Sequence, residues 1–420
     1  MDTHYDAIVV GARVAGASTA MLLARAGARV ALIDRSRHGS DTLSTHGLMR
    51  AGVLQLARWG VLEEVVAAGT PAIGRTLFHY GGEETVQVSI RPSPGVQALY
   101  APRRHLLDRI LVGAAAASGV DVAHDVAVTG VLTDHGRVEG VTATTGDHRR
   151  LKLRSRLVIG ADGIRSTVAS AVGAPVVRRG RSGGAVLYRY YAGLETAGYE
   201  WAYGDGAAAG MIPTNDGLTC VFVATDPGRM RELRRDGTEA AFDALLGLGA
   251  PDQRHRVDAA TAGGRIHGWG GLPGFVREAA GPGWALVGDA GYFRDPITTH
   301  GMTDAMRDAE LLATAVLAGW GGRVTESAAL RDYQLRRDAL SASLFDATDR
   351  IAAYDWDPST IRQLLRRVSS AMTDEVELLE GLPTGPDQSP ARRILPGQRE
   401  SRDEREWPWM STSSFSGGSR

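Results

Sequence analysis

Near its start the chain carries an unbroken apolar run, Ala7-Ile8-Val9-Val10. Such a run predicts a short strand buried on both faces of a parallel sheet, because a half-exposed strand would alternate. Gly11 opens a turn, the alanine-rich stretch from Val14 to Ala26 predicts a helix, and Gly27 is placed to stop it. The second strand is Val30-Ala31-Leu32-Ile33, which ends at Asp34. Strand, turn, helix and strand in this order make a mononucleotide-binding unit.

Farther along, residues 77–90 and 184–225 are rich in β-branched and aromatic side chains and predict twisted antiparallel strands. The stretch "RRHLLDRILVGAAAASG" predicts an amphipathic helix, "SRLVIGADG" and "GWALVGDAG" predict buried strands ending in tight turns, and residues 301–317 predict a second alanine-rich helix. Residues 327–382 have apolar positions at helical spacing with arginines on the other face. The expected fold class is α/β: a Rossmann-like nucleotide-binding domain assembled from 1–75, 100–175 and 281–325, with an inserted antiparallel β-rich substrate domain (76–99 and 176–280). Helices over 326–382 follow. Beyond Pro383 the chain is Pro, Gly, Ser and charge, and reads as a flexible tail that Trp407 and Trp409 could dock.

Composition narrows the function. The 47 basic and 48 acidic residues nearly cancel, so no whole-surface attraction to nucleic acid is expected. Cys220 is the single cysteine, which removes disulfides and thiolate metal sites, and no metal site is expected. The apolar run "TAMLLARAGARVALI" is broken by Arg25 and Arg29 and fits neither a signal peptide nor a membrane span, so a cytoplasmic protein is expected. Lys152 is the only lysine.

The turn "VVGARVAG" supplies the first and third glycines of a dinucleotide fingerprint, Gly11 and Gly16, around Ala15. Arg13 stands where the second glycine belongs. Asp34 lies where a ribose hydroxyl is held, and Arg35 follows it. Arg13 either lies beside the phosphates or faces solvent.

Two further stretches, "GADGIRS" and "GDAGYFRDPITTHGMTDAMRDAELL", follow that turn in an order that resembles the FAD-dependent monooxygenases related to para-hydroxybenzoate hydroxylase. That wider group includes geranylgeranyl reductases and flavin halogenases. The resemblance implies FAD as cofactor, NADPH or NADH as reductant, and O2 as co-substrate. Hydroxylation of an aromatic or other electron-rich small molecule, possible in secondary metabolism, would proceed through a flavin C4a-hydroperoxide. It also implies that Arg103 reaches the pyrophosphate, that Asp162 and Gly163 form the turn near both cofactors, and that Asp289, after Gly288, holds FAD sugar hydroxyls. Pro296 would lie near the flavin ring, and Gly301 and Met302 would begin a helix whose dipole faces its N1–O2 edge. Departures are Ala169 for arginine, Tyr292 for histidine, and "THGMT" for "GQGMN", which puts His300 beside the flavin.

His46, in "SDTLSTHG", is the first candidate for a catalytic base, with His300 the second. Ser44 or Thr45 could equally cap the next helix there. Tyr188, Tyr190, Tyr203 and Met211 are candidate substrate contacts, each open to a packing role. "YEWAY" (199–203) is similar to an aromatic motif of the reductases, so a flavin dehydrogenase or reductase is the alternative activity. The resemblance makes a halogenase less favoured, because that branch depends on an active-site lysine and a Trp-x-Trp-x-Ile-Pro motif. A non-catalytic flavin-binding protein is not excluded by any motif.

Overall fold

The computed structural model describes residues 4–81 and 85–382; the expected tail, with Trp407 and Trp409, lies outside them. One sheet has eight strands. Its main path runs Ala280–Gly281, Trp284–Leu286, Arg150–Gly160, His4–Val10, Val30–Ile33 and Asp121–Ala123, and the hairpin Val126–Asp134/Arg137–Thr145 pairs onto Arg150–Gly160. The unbroken apolar run sits in the middle: Ile8 lies opposite Ala31 on one side and Val158 on the other, both in parallel register. Helices Val14–Arg25, Arg104–Ala117 and Gly301–Trp320 cover one face, where Met21, Leu107, Leu111 and Met306 meet Val9, Leu32 and Ile159. On the other face Ile8, Val10 and Val158 pack with Val141, Val168 and Trp284.

The second sheet has seven strands, in the order Thr261–Trp269, Ala185–Ala192, Leu218–Thr225, Ala207–Pro213, Tyr199–Gly204, Arg75–His79 and Thr85–Ser89. It is antiparallel except between Tyr199–Gly204 and Arg75–His79. Strand alternation sorts its side chains into two layers. Leu187, Tyr191, Val221 and Val223 face helix Thr238–Gly249 with Phe242 and Leu245. Tyr188, Tyr190, Cys220, Phe222, Tyr199 and Trp201 face the rest of the molecule, against Met49, Ile297 and Ile351. Gly210 is required on this inner face, because a Cβ there would lie 2.2 Å from the Phe222 ring. Each fully buried large apolar side chain contributes about 1.5–3 kcal/mol.

Helix Glu326–Ile351 packs on Gly301–Trp320 and on Pro358–Glu380, and Pro358–Glu380 also packs on Arg50–Arg58. Asp357 accepts from the Ser359 and Thr360 N–H groups and Pro358 fills the first helical position, so the last helix starts at a strong cap. No helix among the described residues is long and apolar enough to cross a membrane.

Candidate active site

The glycine loop is locked by close backbone packing. Gly11 has φ +106°, and a Cβ on it would lie 2.4 Å from the Ala161 carbonyl oxygen; on Gly16, a Cβ would lie 1.8 Å from the Gly11 carbonyl oxygen. Neither position tolerates a side chain. Asp34 accepts from the Ala12 N–H at 2.7 Å and the Ser36 N–H at 2.6 Å, which fixes its carboxylate at the strand end. A cleft opens there, lined by Ala12, Asp34, His38, Asp108 and His124 among others. Arg13 forms part of its wall: the guanidinium donates to Asp108 at 2.8 Å and to the Ser40 carbonyl at 2.6 Å. Arg35 is exposed and lies outside the lining of this cleft.

The turn at Asp162 and Gly163 lies across the loop, with Gly163 at φ +80°. Asp162 accepts from the Ser166 hydroxyl at 2.5 Å and the Thr167 N–H at 2.6 Å, capping helix Thr167–Ala171. Its carboxylate shapes the turn rather than standing free for a ligand.

Gly288, at φ +56°, lets the first and third long helices approach: a Cβ on it would lie 3.0 Å from that of Ala15. Asp289 follows, with no hydrogen bond or ion pair to any described residue and with part of its surface open. Burial lifts its pKa to about 6 against the opposing charge of Arg104. Arg104 acts on His46 as well. It is bound to Asp108 one turn on, at 3.1 Å. Arg103 instead turns toward the second sheet, with its guanidinium 4.5 Å from the Tyr190 ring centre and its nitrogens 3.5 Å from Asp41 and 3.8 Å from Asp216. The arginine between Asp289 and the cleft wall is therefore Arg104, not Arg103. The i,i+4 spacing of Arg104 and Asp108 was the signal in the sequence.

Asp295 accepts from the Gly184 and Ile297 N–H groups and starts the short turn Pro296–Thr298. Thr299 then takes a left-handed conformation, φ +53°. Gly301 opens the long helix and is exposed, while Met302 behind it is buried. His300 does not face the open side. Its side chain is fully buried and Nε2 lies 2.9 Å from Glu375. Around it is a buried ionic cluster: Arg294 and Arg307 both pair with Asp304, and Arg307 also pairs with Asp308 and Glu375. Tyr292, the departure from histidine, lies with its ring 5.8 Å from Arg294 and 5.6 Å from Arg307. Glu375 carried no motif that would have identified it.

His46 also has a left-handed backbone, φ +68°, and Ser44 Oγ accepts its N–H at 2.9 Å. The following helix begins only at Arg50, so Ser44 holds a tight turn rather than capping it. This turn abuts the other strained one: a Cβ on Gly47 would lie 2.6 Å from the Thr299 methyl. Two adjacent residues in costly conformations mark a site held by its surroundings. His46 Nε2 lies 2.5 Å from Tyr190 Oη, and Nδ1 is buried without a partner. Burial, aided by Arg104, pushes the His46 pKa down to about 3. Burial thus holds the imidazole in its neutral form.

Tyr188 and Tyr190 stand beside this turn, with His267 stacked on Tyr188 at 5.0 Å. Tyr203 shares their face but packs at the far end between Tyr80 and Trp356. Met211 points to the opposite face, under Phe242 and Leu245. Both are packing residues, because strand alternation and distance along the strand remove them from the turn.

Residues 4–348 match the family described as FAD binding domain. The chain belongs to that family. It is an FAD-dependent oxidoreductase. It is 26% identical over 415 residues to 6-methylpretetramide 4-monooxygenase of Streptomyces rimosus, covering 95% of this chain and 94% of that protein. It is 27% identical over 327 residues to digeranylgeranylglycerophospholipid reductase 2 of Methanopyrus kandleri, covering 71% and 73%. Its fold is shared with PqsL, a probable FAD-dependent monooxygenase from Pseudomonas aeruginosa (TM-score 0.75, 22% identity, 87% of this chain and 100% of that one). It is shared equally with the myxobacterial chondrochloren halogenase CndH (TM-score 0.75, 22% identity, 90% and 97%). The residues fit FAD: Asp34 lines a cleft at the end of its strand beside the glycine loop, Asp289 is an unpartnered carboxylate, and Gly301 leaves a helix N-terminus open.

Proposed function

We propose that the protein is a single-component FAD-dependent monooxygenase that uses NADPH or NADH and O2 to hydroxylate an aromatic or other electron-rich small molecule. The observation that carries this reading is a convergence. The Ser44–Gly47 turn, the aromatic face of the second sheet and the approach to helix Gly301–Trp320 meet where Gly47 touches Thr299. The near full-length likeness to a monooxygenase supports it.

Bound FAD would supply hydride acceptance and oxygen activation. Asp34 and Asp289 would accept from its sugar hydroxyls, and the unpaired N–H groups of the Gly301 turn would favour negative charge facing them. Tyr188, Tyr190 and His267 form a wall on which a planar substrate would stack. Tyr190 Oη, held by His46 Nε2, would bond a substrate oxygen and fix its orientation. The tightly packed inner face limits water around the reacting centre.

A reductase is the second reading, favoured by Tyr199, Trp201 and Tyr203 of "YEWAY" all lying on the inner face. Halogenation lacks such support: Lys152 is exposed on Arg150–Gly160, paired opposite Thr142 of the outer hairpin. The test is anaerobic reduction of the FAD-loaded protein by NADPH and NADH, with 4-hydroxybenzoate and 1-naphthol as probes, followed by oxygen. Faster reduction with a probe present and formation of a hydroxylated product are expected. Reduction that leads to hydrogenation of a prenyl double bond would replace this reading with the reductase.

A further inference from the structure

His300 is the residue immediately before the helix that opens at Gly301, and its two ring nitrogens are in different situations. Nε2 lies 2.9 Å from the Glu375 carboxylate, and Nδ1 is buried with no hydrogen-bond partner. Nδ1 is the nitrogen nearer the backbone by covalent structure, so it lies close to the N-terminal turn of the helix. Glu375 comes from the last described helix, 75 residues away, and also binds Arg307 at 3.3 Å. We infer that Glu375 is a positioning residue: it accepts the Nε2–H of His300, fixes the ring, and leaves Nδ1 as the proton-accepting atom behind the helix N-terminus. This rests on the FAD reading, because His300 directly precedes the helix whose N-terminus would face negative charge on bound FAD.

The surroundings favour that arrangement. Burial alone would raise the Glu375 pKa, but His300, Arg307 and Arg294 hold it down at about 2, so its carboxylate is an acceptor at any working pH. The cluster has three carboxylates, on Asp304, Asp308 and Glu375, and two guanidiniums, on Arg294 and Arg307. The charged and titratable groups facing it are Asp304, Arg307 and Asp308 from its own helix, Tyr292 and Arg294 from the preceding loop, and Glu375 from Pro358–Glu380. Helix Glu326–Ile351 contributes Ser341 and Thr348 as hydrogen-bond partners of Arg307 and Arg294, and Arg337 acts on Asp308. A metal ion is disfavoured among His300, Asp304 and Glu375, because both guanidiniums already occupy the carboxylates.

The experiment is nitrogen-15 NMR of histidine-labelled protein, with His300 assigned by the signal lost in His300→Gln. The neutral ring of the parent should carry its proton on Nε2; a proton on Nδ1 would overturn the inference with no variant needed. Glu375→Gln keeps an acceptor oxygen and should keep the tautomer, while its Nδ1 proton affinity should fall at least tenfold because the negative charge is gone. An unchanged titration in Glu375→Gln would overturn it. Glu375→Leu should give a mixed tautomer, and a purely structural role would leave the tautomer as in the parent. In FAD-loaded parent, reduction by dithionite should raise the Nδ1 proton affinity at least tenfold, and no change would sever the link to FAD. A protein that binds no FAD would defeat the functional reading while leaving the tautomer result intact.

Discussion

Arg13 donates to the Asp108 carboxylate at 2.8 Å, across 95 residues of chain. The arginine that replaces a fingerprint glycine thus ties the loop to helix Arg104–Ala117, and its bonds to Ser40 hold the segment that borders the cleft. Restoring the glycine, Arg13→Gly, should therefore weaken FAD binding rather than improve it. The pair is one-quarter exposed on the arginine side, so a loss of about 1 kcal/mol, roughly fivefold in dissociation constant, is expected from fluorescence titration.

Arg104 and Arg103 should separate by function. Arg104→Ala removes the cation that acts on Asp289 and should weaken FAD by about 10-fold or more, the loss of one charged hydrogen-bond partner. Arg103→Ala should leave FAD nearly unchanged and raise the KM for a phenolic probe, because its guanidinium covers Tyr190. Equal losses of FAD in both variants would contradict the assignment.

Asp289→Asn should act in opposite directions on stability and on binding. In the FAD-free protein the carboxyl has a pKa raised to about 6, so the folded state holds its proton where the unfolded state has lost it. Stability therefore falls as pH rises from about 4 to about 6 and stays lower above that. Asparagine removes this effect: thermal melts at pH 8 should move up, while FAD affinity drops through the lost acceptor.

His46 has the reverse sign. Its folded pKa, about 3, lies below its ordinary value, so the unfolded state gains a proton first as pH falls below about 6.5. The parent should lose about 2 kcal/mol between pH 8 and pH 5 through this group. His46→Gln should flatten that part of the urea-denaturation profile, and a parallel profile would show that the imidazole is not buried neutral.

The strands and long helices were legible because their patterns are local: Ala7–Val10 is unbroken for the reason that both its faces are covered, and Gly16 is glycine because the Gly11 carbonyl leaves no room. Asp34 stood out by its place at the end of the second strand, where its carboxylate accepts from Ala12 and Ser36, while Asp289 stood out only through the resemblance. His300 was not legible, since its direction depends on Glu375, which arrives from a helix 75 residues later. Met211 and Tyr190 looked alike in the sequence, and only strand register separates the face under Phe242 from the face beside His46. The protonation of His46 was likewise hidden, because burial is set by the whole fold.

The most direct test of the account is isotopic. FAD-loaded protein reduced anaerobically by NADPH or NADH is mixed with 18O2 and a phenolic probe, and the product is weighed by mass spectrometry. The account predicts one oxygen-18 atom in the hydroxylated product. Oxygen from water in the product, or hydrogen peroxide alone with every probe beside efficient reduction of a prenyl double bond, would contradict it.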